Sequence, residues 1–303
     1  MLRKEVIEGK TMMKLKLTAL ALFTLFPCIS YGDQTVDLDS PEGWAMAFMT
    51  ASAQNLGQSP PHSVNLRDIS ISAELSSIPR LTKEQQRIGF GGFKDEDLNK
   101  SPVFGRLRAN IGLPWNLDAE ISWTPPLQIN DSKPDHLWGA ALSKPLLHNE
   151  KISIGLRLFL LRGGVTASVT CSADTIKFAP YTLQNTAGCV GLSGDKLQMD
   201  HEGVEVFVSF NNSSAILPWI SLASSNIDNS VKIDAPLEVG RERATIYSSG
   251  SIQTFSFGFN YDITENWSFN ASSSYTPLDV QRPNDNSDND NFWNVRVGLT
   301  TRY

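Results

Sequence analysis

The sequence predicts an all-β fold, an antiparallel up-and-down transmembrane β-barrel of ten strands, within about 8 to 12, preceded by one N-terminal helix. Three observations predict it. Segment after segment of the chain alternates apolar and polar residues with a period of two, the signature of strands that show different media to their two faces. The connections between these segments alternate short and long, which a soluble β-sandwich has no reason to do. Beyond residue 32, no stretch reaches the ~18 consecutive apolar residues of a membrane-spanning helix. Composition agrees with a folded chain: of 303 residues, 41% are hydrophobic and 19% charged, and mean hydropathy is −0.20. With 26 Lys and Arg against 32 Asp and Glu there is no basic excess to track a phosphate backbone, so nucleic acid is not an expected partner.

Residues 1–32 read as a signal peptide. Lys14 and Lys16 precede the apolar run Leu17–Phe26, too short to span a bilayer as a stable helix, and Ser30 and Gly32 suit cleavage before Asp33. Met12 or Met13 places that core at the usual distance from a start. Cys28 follows Phe26-Pro27, which argues against lipidation. Loss of the leader moves the formal charge from −6 to −9 and leaves two cysteines, Cys171 and Cys189, in an oxidising compartment, where they are expected to pair. Residues 33–65 read as a periplasmic segment carrying a helix over 41–54: Ser40 caps it, Pro41 occupies its first position and Glu42 its first turn. Its Trp44, Met46, Phe48 and Met49 must be buried somewhere, either beneath the barrel or as a plug inside it. Thr82 to Gln85 reads as a capping box opening a short helix.

The barrel is expected over residues 66–303. Ile69–Leu75, Leu107–Leu113, Leu117–Trp123, Ile152–Leu160, Val204–Phe210, Phe255–Tyr261, Trp267–Ala271 and Trp293–Leu299 carry the alternation, and 136–143 and 216–224 are weaker candidates. Short turns fall at 114–116, 144–151, 211–215 and 262–266. Long loops are expected at 76–102, 127–135, 161–203, 225–251 and 276–291.

The final segment, Phe292-Trp-Asn-Val-Arg-Val-Gly-Leu-Thr-Thr-Arg-Tyr303, resembles the terminal strand of Gram-negative outer-membrane β-barrel proteins, which ends in an aromatic residue with a glycine five positions earlier. Gly298 and Tyr303 match; Thr301 departs from the hydrophobic preference. The resemblance implies location in the outer membrane, contact with its lipid, and recognition by the barrel-assembly machinery.

If the apolar members face lipid, their neighbours line the lumen: Glu74, Arg106, Arg108, Asp118, Glu120, Arg157, Glu205 and Arg296. Arg157 and Glu205 should meet at one height, and Arg108 and Glu120 as direct or diagonal neighbours. Such a belt is either a constriction that selects solutes or a closed, ion-paired core. An Arg at Ser256, on the inner face, is expected to cost less than one at Phe257, on the outer. Three functions stand open: a narrow channel or transporter for a small solute or lipid-like molecule, a non-conducting structural or adhesive barrel, and a hydrolase with a rim site at Asp200-His201-Glu202. His62, His136, His148 and His201 lie in no recognisable nucleophile context, and no catalytic residue, metal site or cofactor is expected. The acid- and amide-rich 284–291 lacks the glycine and terminal glutamate of an EF-hand loop.

Overall fold

The computed structural model describes residues 32–62, 65–210, 215–283 and 288–303. The signal-peptide reading, save its last residue, part of the 211–215 turn and the first half of the 284–291 loop lie outside these residues.

Ten strands close an antiparallel barrel. They are β1 (Ile69–Ser77), β2 (Val103–Leu113), β3 (Leu117–Trp123), β4 (Lys133–His148), β5 (Ile152–Ala167), β6 (Asp195–Phe210), β7 (Ile216–Leu237), β8 (Gly240–Asp262), β9 (Trp267–Thr276) and β10 (Phe292–Arg302). Each pairs with the next in sequence, and β10 pairs with β1 to seal the wall. Closure matters because a bilayer offers no water to an unpaired strand edge.

The alternation reads as the sequence predicts over the lower wall. Along β1, Ile69, Ile71 and Leu75 are exposed while Ser72, Glu74 and Ser76 are buried; along β8, Phe255, Phe257 and Phe259 are exposed while Thr254 and Ser256 are buried. Higher on the wall, toward the long loops, the pattern inverts. On β5 and β6 the outward positions become Arg162, Asp200 and Glu202, whereas Leu161, Met199 and Leu197 point inward. On β7, Asp228 and Lys232 face out and Ile227, Val231 and Ile233 face in. An apolar outer face is required only where the wall meets acyl chains; above them the outside is wet and the apolar side chains turn toward the lumen. The inversion therefore marks the outer edge of the lipid band. The short-turn end faces the periplasm in barrels of this kind.

Several expectations fail here: 144–148 belong to β4, and 161–167 and 195–203 to β5 and β6, rather than to connections. Residues 225–251 are not a loop: β7 and β8 run to 22 and 23 residues and meet at a tight turn over Glu238 and Val239. They stand well beyond the ~9–11 residues that cross a bilayer. Thr82 and Gln85 do form the reciprocal capping pair, Gln85 N donating to Thr82 Oγ1 (3.2 Å) and Thr82 N to Gln85 Oε1 (2.9 Å). A helix does not follow, because the chain turns at once into the bridge Arg87↔Asp95.

Cys171 and Cys189 are disulfide-bonded, with Cα atoms 5.6 Å apart. The bond packs with Ala235, Ile233 and Leu237, tying the 168–194 loop to the tip of the β7–β8 hairpin. Closing this loop is worth about 3 kcal/mol in the chain-entropy model, all of it local because the barrel beneath holds independently. Reduction should therefore expose 172–188 to proteolysis and leave barrel unfolding unchanged; alkylation of both thiols without prior reduction would contradict the pairing.

The helix α1 spans Pro41–Ala53, with Ser40 Oγ accepting from Gly43 N (3.1 Å). It is buried nearly all round: Trp44 and Ala47 are 0% exposed and Phe48 is 2%. A helix with no wet face must sit inside a core. Phe48 packs edge-on to Phe292 of β10, Asn229 of β7 donates to Met46 O (3.4 Å), and Ile227 and Ile252 complete the cluster. The helix lies within the outer half of the barrel, and residues 54–61 descend from it toward the periplasmic end.

A plugged charged belt beneath an apolar chamber

Below α1 the inner wall carries the ionisable residues that the alternation identifies. Glu74, Arg106, Arg108, Arg157, Glu205 and Arg296 are each less than 5% exposed, and the Glu120 side chain is 7% exposed. Arg157 and Glu205 are direct cross-strand partners, 3.8 Å apart. Arg108 opposes Ser122 rather than Glu120, so its 2.8 Å bond to Glu120 is the diagonal one. Arg108 also bonds Glu74 at 2.8 Å, and Arg157 reaches Glu120 at 2.8 Å. Asp118 stands lower, accepting from Asn110 Nδ2 (2.8 Å), outside the ion-pair network.

The arginines do a second task that the sequence pattern does not disclose. A helix leaves its last carbonyls without intrahelical partners, and these carry a partial negative charge. No basic residue stands in the last turn of α1. The wall supplies the cations instead. Arg106 donates to Ala53 O, Gln54 O (3.0 Å) and Asn55 Oδ1 (3.0 Å), Arg157 to Asn55 O, and Arg108 to Leu56 O (2.9 Å). Arg296 approaches the Leu56 carbonyl from the other side at 3.4 Å. The carboxylates hold the amides: Gly57 N donates to Glu205 Oε2 (2.8 Å) and Gln58 Nε2 to Glu74 Oε2 (3.1 Å). Residues 53–58 thus occupy the centre of the belt as its shared ligand.

Inner-face glycines make the room. A Cβ at Gly139 would stand 2.8 Å from Asn55 Nδ2, one at Gly155 2.6 Å from Pro61 Cδ, and one at Gly298 3.0 Å from Gln58 Nε2. Gly298 therefore has a packing reason to be glycine beside its place in the terminal motif. Tyr303 is 78% exposed at the end of the chain. The filled lumen also overturns the expectation for position 256. Ser256 is 1% exposed and lies between Ser221 and Ser274, both buried, so an arginine there would be crowded rather than wetted.

Above the belt a chamber of about 860 Å³ separates one side of α1 from the wall. Its lining is mostly apolar and includes Met46, Met49, Ala53, Phe104, Val165, Leu197 and Met199. Its charged members are Glu74 and Arg106 at the base, Lys94, Glu96 and Lys100 from the 78–102 loop, and Glu42, Asp195 and Glu242. Lys94 Nζ binds Glu96 Oε1 (2.9 Å) and Thr170 O (3.0 Å), while Glu96 Oε2 is buried without a partner. Burial pushes the Glu96 carboxyl up to about 8, outweighing the neighbouring Lys94 ammonium. Because the folded loop holds this proton more tightly than the open chain, Glu96 contributes fully below the ordinary carboxylate range and its contribution is lost as pH rises through about 8. Hydrogen exchange of residues 86–98, corrected for intrinsic rates, should accelerate between neutral pH and pH 9 in the native chain and not in Glu96→Gln. Equal pH response in both would contradict the assignment.

The rim triplet is not assembled. Asp200 pairs with Arg162 on the outer surface (3.1 Å), whereas His201 points inward, 0% exposed, against Phe159 and with no polar partner at either ring nitrogen. Adjacent strand residues face opposite sides of the wall, so an acid and a histidine in sequence cannot act on one substrate. His148 binds Ser153 Oγ at the periplasmic turn, His136 pairs with Asp135 at the rim, and His62 is exposed, with Arg302 the cation acting on it.

The closed barrel with its apolar outer band has the architecture of a membrane-spanning β-barrel. No family model and no curated protein matches the chain. Among solved structures it is similar to the attachment invasion locus protein Ail of Yersinia pestis (12% identity, 79% of this chain and 100% of that one, TM-score 0.34). It is similar also to the outer membrane protease OmpT of Escherichia coli (12%, 78% and 94%, 0.39) and to the toluene transporter TodX of Pseudomonas putida (8%, 81% and 71%, 0.33). These are barrels of different activities, and likeness at this level does not choose among them.

Proposed function

We propose that this protein is a narrow transporter for a small lipid-like molecule, which it holds in the chamber above a lumen closed to ions. The observation that carries this reading is the chamber. Its volume of about 860 Å³ falls within the ~300–1,000 Å³ of small-molecule sites, and apolar walls with a few converging polar groups are the usual make-up of such sites. A barrel with a purely structural role gains nothing from such a space beside an otherwise closely packed helix, since missing contacts cost stability. Passage requires residues 41–58 to move, and the belt that grips them by hydrogen bonds and ion pairs is the element that holds them shut. Gly298 and Tyr303 serve as the signal to the barrel-assembly machinery.

The test is uptake. Cells making the protein should accumulate radiolabelled 1-decanol faster than cells lacking it, and Met49→Lys, which puts an ammonium in the chamber, should abolish the difference while the barrel still assembles. Equal uptake with and without the protein would refute the reading. One observation favours a second function, surface contact: the β7–β8 hairpin with its disulfide-tied loop projects far beyond the lipid band. Under that reading, trimming the hairpin abolishes attachment to a host surface and leaves decanol uptake unaltered.

A further inference from the structure

The wall beside the chamber is incomplete. β3 has 7 residues, the fewest of the ten strands and short of the ~9–11 that cross a bilayer. Its last residue, Trp123, pairs with Leu107 of β2 on one side and Trp138 of β4 on the other. Beyond that rung and the bond from Thr124 N to Leu137 O (2.9 Å), the flanking strands continue apart. Val103–Arg106 pair only with β1, and Lys133–Asp135 only with β5. The chain that follows β3 at this interval continues with Pro125-Pro126, which have no N–H to give to a ladder.

The chamber reaches this interval. On every other strand that lines it, the lining residues point into the lumen. Here alone it is lined also by outward-facing residues, Leu75, Gly105 and Leu107, with Leu127 and Ile129 of the following loop over them. Leu75, Leu107 and Leu127 are 58%, 44% and 68% exposed, so the surface on which the chamber emerges is apolar and open. Its height is that of Trp123 and Trp138, side by side on the outer surface and about half exposed, where indole rings mark the junction of acyl chains and headgroups.

We infer that the chamber opens sideways between β2 and β4 onto the outer leaflet, and that its apolar ligand exchanges with the membrane by this route rather than along the barrel axis. The inference rests on the transporter reading, and adds to it the path and the phase from which the ligand comes. A ligand that partitions into lipid is already concentrated and oriented at this depth, and a lateral route spares it the wet, charged outer surface formed by Arg162, Asp200 and Lys232.

Gly105 allows a direct test, since a Cβ there makes only ordinary contacts, with Leu75 Cδ2 at 3.5 Å and Glu74 O at 3.8 Å, and a larger side chain would grow into the opening. Vesicles whose outer leaflet is loaded with a diazirine analogue of 1-decanol are fused with vesicles containing the protein, flashed at intervals, and the labelled residues mapped by mass spectrometry. The native chain should acquire label on Met49 and Met199 within seconds. Gly105→Trp, and independently Leu127→Trp on the exposed loop, should slow chamber labelling several-fold, reaching the native level at long times, while Gly105→Ala behaves as native. Labelling of both tryptophan variants at the native rate would overturn the lateral route and leave the chamber's role intact. Absence of chamber label in the native chain at all times would overturn the transporter reading itself.

Discussion

Replacing Arg108 by leucine should cost the folded barrel about 3–5 kcal/mol, the range for removing one member of a buried ion-paired group. The guanidinium binds Glu74 and Glu120, each at 2.8 Å, and the Leu56 carbonyl at 2.9 Å. Without it, Glu74 retains the Gln58 amide at 3.1 Å but, as a cation partner, only the more distant Arg106 at 3.8 Å, and the end of the plug loses a cation. Equilibrium unfolding of the reconstituted protein in guanidinium chloride measures the loss. Exchange of the Gly57 amide, which Glu205 holds, should rise with it. Replacing Glu74 by glutamine in the Arg108→Leu background should recover part of the stability, because the orphaned charge then disappears. A loss below 1 kcal/mol for the single variant would show that the belt is hydrated and that its ion pairs count for little.

Phe257→Arg carries the second large effect. Phe257 lies on the outer face of β8 within the lipid band, opposite Ile220 and Ser273, and is about half exposed. A guanidinium there enters hydrocarbon at about 2–4 kcal/mol near the midplane. Phe257→Leu, which keeps the surface apolar, should remain close to the native value. The penalty should shrink if the same substitution is made at Gln253, outward on the same strand above the apolar run. A penalty independent of depth would contradict the assignment of the band.

What the sequence disclosed follows from where the wall meets lipid. Ile69 to Leu75 and Phe255 to Tyr261 could be read because lipid forces every second residue to be apolar while the inner face stays polar. Above the band that demand ends. Ile227, Val231 and Ile233 alternate as regularly as any strand, but with the apolar residues inside and Asp228 and Lys232 outside, so a lipid-facing template passes over them and leaves a loop at 225–251. The belt residues were legible by the same parity that placed Phe257. Their engagement with residues 53–58 was not, because it depends on backbone carbonyls that no side chain announces. Two traces of it do stand in the sequence: glycines at the inner positions 139, 155 and 298, and four arginines against three glutamates in a ring that pairing alone would have balanced. His201 shows the converse, a histidine between two acids that suggests chemistry until the strand turns its neighbours to the other side.

Residues 41–58 close the lumen, and planar-bilayer recording tests that closure most directly. The refolded full-length protein should show no steady ion current. The same barrel lacking residues 33–58 should conduct, with Arg106, Arg108, Arg157 and Arg296 released to face water and favouring anions. Equal conductance with and without the segment would contradict the account.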